Sequence, residues 1–128
     1  AALASMAPDA PGIATHTPAA GFRAALVLYP GCGLKQRYDE GFAPYAPVRI
    51  FQGDADEEVS PQICRRLVAR SRGRGGDMAL TLYPGATHDF DDPGRKRQSL
   101  EANTRAKADA TAAAQAFFAH ELGSPARR

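Results

Sequence analysis

The sequence predicts a parallel α/β fold, and three observations carry that expectation. Two segments, RAALVLYPGCG (residues 23–33) and PVRIFQGDAD (residues 47–56), are apolar runs closed by glycine-containing turns, as in strands buried on both faces of a parallel sheet. A third run, MALTLYPG (residues 78–85), leaves on the same Leu-Tyr-Pro-Gly as the first. Between the second and third runs lies a stretch of helical spacing, and strands alternating with helices give parallel sheets covered by helices.

Taken in order, AALASMA (residues 1–7) consists of helix formers with no capping residue ahead of them, so the chain reads as beginning inside a helix. Residues 8–21, rich in Pro, Gly and Thr, read as a surface excursion that leaves His16 solvated. The first strand follows, and then a polar loop with Tyr38 and Tyr45. The second strand sets Val48, Ile50 and Phe51 before Gly53. Ser60-Pro61 is a helix start, with Ile63, Leu67 and Val68 at helical spacing and Gly73 as a stop. After the third strand, Ala106, Ala110, Ala113, Phe117 and Leu122 form an apolar stripe over about residues 104–122, expected to pack on the sheet. Residues 123–128 form a tail. A sheet of about three strands is thin, and its edges call for more chain.

Composition bounds the function. The 128 residues, 44% hydrophobic, amount to one domain or less with a modest core. Sixteen Lys and Arg against 14 Asp and Glu, a net charge of +2, are too even to mark a nucleic-acid surface. No run approaches the roughly 18 apolar residues of a membrane span, and no basic segment followed by an apolar one opens the chain. Neither nucleic acid nor a membrane is an expected partner, and no cofactor or metal is expected. The two cysteines, Cys32 and Cys64, are too few for a disulfide framework and leave a single bridge open.

Functional groups in a parallel sheet gather beyond the carboxyl ends of the strands, where every strand exit opens on one edge. Here the exits are PGCG, GDADEEVSP and PGATHDFDDPG. Neighbouring strands lie about 4.8 Å apart, so an acid after one can reach a histidine after the next. Asp56 and His88 are the natural pair. A carboxylate on one imidazole nitrogen fixes the tautomer and leaves the other nitrogen free to take a proton. The plainer reading is a loop histidine among acidic caps.

The segments LYPGCG, PVRIFQGDADEEVSPQICRRL, LYPGATHDFDDPG and AFFAHEL together resemble the C-terminal half of the dienelactone hydrolase family, over about residues 22–122. The resemblance implies the C-terminal part of an α/β-hydrolase fold. It places the family's acid at Asp56, after the strand-ending Gly53, and its histidine at His88 in the YPGA-x-H-x-F turn, with Asp54 as the competing acid. The nucleophile of that fold sits in a G-x-S-x-G elbow, with Cys for Ser in some members, and no such motif occurs here. It is therefore expected a few residues upstream of Ala1, which would leave the isolated chain inactive. The oxyanion donors would be missing with it.

Among visible residues, Ser5, Ser99 and Ser124 read as solvated hydroxyls or caps. Cys32 has three open readings: a nucleophilic thiolate at the sheet edge, a buried or site-lining thiol, or one half of a bridge to Cys64. Gly31 and Phe90 join Cys32 and Asp54 as site-lining candidates, with Phe90 read as packing beneath the histidine loop. Glu57 and Glu58 read as acids favouring a helix start. Asp89, Asp91 and Asp92 read as a solvated loop rather than a metal site. The arginines from Arg65 to Arg74 read as a solvent face, and GRKR (residues 94–97) as a basic stretch able to attract an anionic substrate.

Two functions remain open. One is hydrolysis of a carboxylic ester or lactone, with the N-terminal half of the same enzyme as partner. The other is a non-catalytic α/β module that assembles through an exposed sheet edge, with itself or with another chain.

Overall fold

The computed structural model describes residues 3–9, 21–34 and 36–123. Strands β1 (Ala25–Leu28), β2 (Val48–Gly53) and β3 (Met78–Tyr83) form one parallel sheet in the order β1-β2-β3. The predicted parallel α/β arrangement is the one the chain adopts. Val48 pairs with Met78 and Gly53 with Tyr83, so β2 and β3 end level and their exit loops emerge side by side.

The alternation of a strand divides the apolar residues between two faces. On one face Val48, Ile50 and Met78 pack with Leu67 and Val68 of α1 (Pro61–Gly73) and with Met6. On the other, Phe51 and Tyr83 pack with Ala106 and Ala110 of α3 (Glu101–Leu122) and with Phe90. Each such large side chain, fully buried, contributes about 1.5–3 kcal/mol. The central strand β2 is buried almost throughout, whereas every residue of β1 is half-buried. The expectation that β1 is buried on both faces is corrected here, because among the described residues β1 is an edge strand with β2 as its single partner.

Helix α1 has the predicted bounds, although Ser60 makes no side-chain capping bond, leaving the fixed φ of Pro61 to set the helix entry. The N-terminal helix contracts, within the described residues, to a single 3-10 turn at Ala4–Met6. Ala7 is extended, as a residue before proline must be. Most of the expected surface excursion, including His16, lies outside the described residues, as do Ser124 and the tail beyond it.

The loop after β3 holds an unpredicted short helix, α2 (Arg95–Gln98). Helix α3 then begins at Glu101, ahead of the expected Thr104, with Leu100 in the capping position. A 22-residue helix extends roughly 33 Å, while the six-residue β2 extends roughly 20 Å. Thus α3 outruns the sheet: Ala106 and Ala110 are buried, but Leu122, expected on the packed stripe, is 50% exposed. No helix among the described residues is long and apolar enough to cross a membrane.

Candidate active site

Beyond Gly53 the chain turns within hydrogen-bonding reach of the β3 exit. Ala55 N–H donates to Ala86 O at 3.0 Å, and Gly85 N–H donates to Asp54 Oδ1 at 2.7 Å. A Cβ on Gly53 would collide with Ala86 O, so the crossing requires glycine there. This crossing brings Asp56 and His88 together.

His88 Nδ1 lies 3.0 Å from Asp56 Oδ2 and 3.1 Å from Oδ1. The Asp56 side chain is fully buried, and that of His88 is 16% exposed. Burial opposes the charge on Asp56, but donors outweigh it. The Val59 and Glu58 N–H groups donate to Oδ1 at 2.8 and 2.9 Å, and His88 and Gln52 add theirs. The carboxyl is held below its ordinary range. An ionised Asp56 accepts the Nδ1 proton, which turns the lone pair of Nε2 outward. Nε2 faces Glu58 Oε2 at 3.5 Å and Asp89 Oδ1 at 3.8 Å.

His88 is wedged from behind. The Tyr29 ring, at the end of β1, lies 4.5 Å from the imidazole and meets Phe90 edge-on at 5.8 Å. Tyr29 O–H donates to Asp91 Oδ1 at 2.8 Å. Burial first, and then the Asp91 carboxylate, push that phenol well above its ordinary range, so it stays a neutral donor. Tyr29, packed on the ring, and Asp89, the residue after the histidine, both have positive φ, at 36° and 54°, a region few non-glycine residues adopt.

The other predicted residues fall as follows. Asp54 braces the Gly85 turn and does not reach the imidazole pair. Phe90 is fully buried under the loop, between Tyr29 and Tyr83. Gly31 is exposed, with open space where a side chain would go. Cys32 is disulfide-bonded to Cys64 and 1% exposed, which removes both its free-thiol and its nucleophile readings. The bond ties the β1 exit to the first turns of α1.

Glu57, read from the sequence as a helix-start acid, instead accepts the His88 N–H at 3.0 Å and the Arg97 guanidinium at 2.7 Å. Arg97 first, and then the His88 N–H, lower its carboxyl to about 2. Arg97, the last residue of the basic GRKR stretch, is thus committed to an ion pair. Of the acids grouped by sequence, Asp91 is taken by Tyr29 and Asp92 caps Gly94 N–H at 2.7 Å. Glu58, His88 and Asp89 have ligand atoms within 4.8 Å of one another, a spacing that could hold a divalent cation.

A carboxylate after one parallel strand thus holds a histidine after the next. The model of the dienelactone hydrolase family matches residues 12–122. The chain belongs to the dienelactone hydrolase family. No curated protein matches this family member. Among solved structures it is similar to Thermogutta terrifontis esterase 2 phosphorylated by paraoxon, with 25% identity and a TM-score of 0.61 over 90% of this chain and 46% of that one. The apo form of the same esterase gives 25% identity and a TM-score of 0.59, over 90% and 48%. This dienelactone hydrolase family chain therefore spans about half the length of the esterases it resembles.

Sequence reasoning missed Tyr29, Gln52 and Asn103, and the pairing of Arg97 with Glu57. Gln52 is wholly buried and donates to Val59 O at 2.9 Å and to Asp56 Oδ2 at 3.3 Å, steadying the acid's loop. A glutamine interrupting the apolar run of β2 was the signal available for it.

Proposed function

We propose that this chain supplies the acid and the base of a Ser/Cys-His-Asp triad that hydrolyses a carboxylic ester or lactone. The nucleophile comes from a preceding part of the same enzyme. The observation that carries the reading is the buried Asp56 carboxylate on His88 Nδ1. In that geometry Nε2 takes the proton of the attacking hydroxyl or thiol as the nucleophile bonds to the carbonyl carbon. The imidazolium so formed is stabilised by Asp56 and returns the proton to the leaving alkoxide. Water then repeats the cycle on the acyl-enzyme and releases the acid. Glu58 Oε2 and Asp89 Oδ1, both on exposed side chains, now stand where the nucleophile's proton would arrive. Membership of the dienelactone hydrolase family, and the likeness to an esterase phosphorylated by paraoxon, support the ester assignment.

The test is the coding sequence ahead of Ala1 and the protein it specifies. A G-x-[SC]-x-G elbow in frame, with p-nitrophenyl ester turnover that falls about 10³-fold or more in His88→Ala and Asp56→Asn, supports the triad. Enzyme-like turnover by the 128-residue chain alone would overturn the account of a nucleophile supplied from elsewhere.

A second reading has its own observation. Among the described residues the outer edge of β1 is unpaired, and beside it Leu26, Leu28, Phe51, Ala114 and Phe118 line an apolar groove. An assembly module would use that edge. Stable oligomers at micromolar concentration, together with a start codon at the head of this sequence, favour it over the enzyme.

A further inference from the structure

We propose that Glu57 and Arg97 are positioning residues for His88, forming a clamp across the two exit loops that holds the imidazole on Asp56. The consequence for catalysis rests on the role proposed for His88, whereas the positioning itself rests on contacts alone.

The β2 exit is hydrogen-bonded to His88 at two places, through Asp56 to the ring and through Glu57 to the backbone. Glu57 Oε2 accepts His88 N–H at 3.0 Å, while Oε1 accepts Arg97 Nη1 at 2.7 Å. The same Nη1 donates to Thr87 Oγ1 at 3.1 Å. Thr87 uses its whole hydroxyl there: Oγ1 donates to His88 O at 3.0 Å and accepts from both Arg97 and Asn103 Nδ2, the latter at 3.0 Å. Asn103, wholly buried at the start of α3, also accepts Thr87 N–H at 2.9 Å and donates to Arg97 O at 3.0 Å. Both backbone groups of His88 are therefore tied, one to Glu57 and the other to Thr87.

A tie from outside is needed because the next residue, Asp89, is held at a φ of 54°, which the backbone does not favour. Released from the clamp, the loop relaxes toward ordinary φ, and the ring loses its fixed approach to Asp56. The Asp56 bond alone constrains one ring atom at the end of a rotatable side chain. The clamp constrains the backbone from which that side chain springs.

The test is imidazole NMR on the chain as it stands, following solvent exchange of the His88 Nδ1 proton in wild type, Glu57→Gln, Arg97→Met and Arg97→Lys. Positioning predicts exchange faster by about tenfold or more in Glu57→Gln and Arg97→Met, with Arg97→Lys intermediate because an ammonium can still reach Glu57. Exchange within about twofold of wild type in both Glu57→Gln and Arg97→Met, whatever their melting temperatures, overturns the proposal and leaves the contacts merely structural. Because the readout is the Nδ1 proton, it stands apart from the triad assignment. Ester turnover that survives His88→Ala would sink the triad without touching this result.

Discussion

At the scale of single residues, the environment of His88 is decided by which carboxylates are charged. Glu57 titrates at about 2 in the folded chain against an ordinary 4.5. A folded value below the unfolded one means that its contribution is fully present above pH 4.5 and is lost as the pH falls toward 2. Thermal melts of wild type and Glu57→Gln should therefore differ at pH 6, with wild type the more stable. The gap should close progressively between pH 4.5 and 2. A gap that is constant with pH would show that the charge on Glu57 does not contribute. His88 and Asp56 were legible in the sequence because a histidine and an acid each followed a strand-ending turn. Glu57 was visible but misread, since two acids before a helix start have an ordinary electrostatic explanation, and its partner Arg97 lies 40 residues away.

At the scale of elements, the site exists because β2 and β3 end level and cross closely. Gly53→Ala would drive a methyl into Ala86 O, and urea unfolding should show a loss on the order of 3 kcal/mol. Retention of full stability would mean the two exits can separate without cost. Asn103→Ala removes the acceptor of Thr87 N–H and two donated bonds, and should cost about 2 kcal/mol by the same measurement. Helix α1 was predictable because proline and glycine mark its ends. The α2 turn and the true start of α3 were not, because Leu100 stands in the capping position and nothing in the local sequence announces it.

At the scale of the whole molecule, the Cys32–Cys64 bond closes a loop with a sequence separation of 32 and links the β1 exit to α1. Its reduction should lower stability by about 3–4 kcal/mol, read as the shift in urea midpoint with and without dithiothreitol. An unchanged midpoint would show that the bond adds nothing to the fold. The outer edge of β1, unpaired among the described residues, and its apolar groove predict a second behaviour, if that face is left uncovered. Sedimentation should then show association that weakens when Phe118, 37% exposed on the groove, is changed to Lys.

The sequence by itself determined the parallel α/β architecture and the strand exits that carry Asp56 and His88. Apolar runs, glycine turns and a proline-capped helix are local signals, each readable where it stands. Tertiary structure alone decided that Cys32 is bonded, that β1 is half-buried at an edge, and that Tyr29, Glu57, Arg97 and Asn103 converge on the histidine loop. The physical reason is distance along the chain. Those contacts join residues from different elements, and no local pattern encodes a hydrogen bond or a disulfide formed only once the strands are in register.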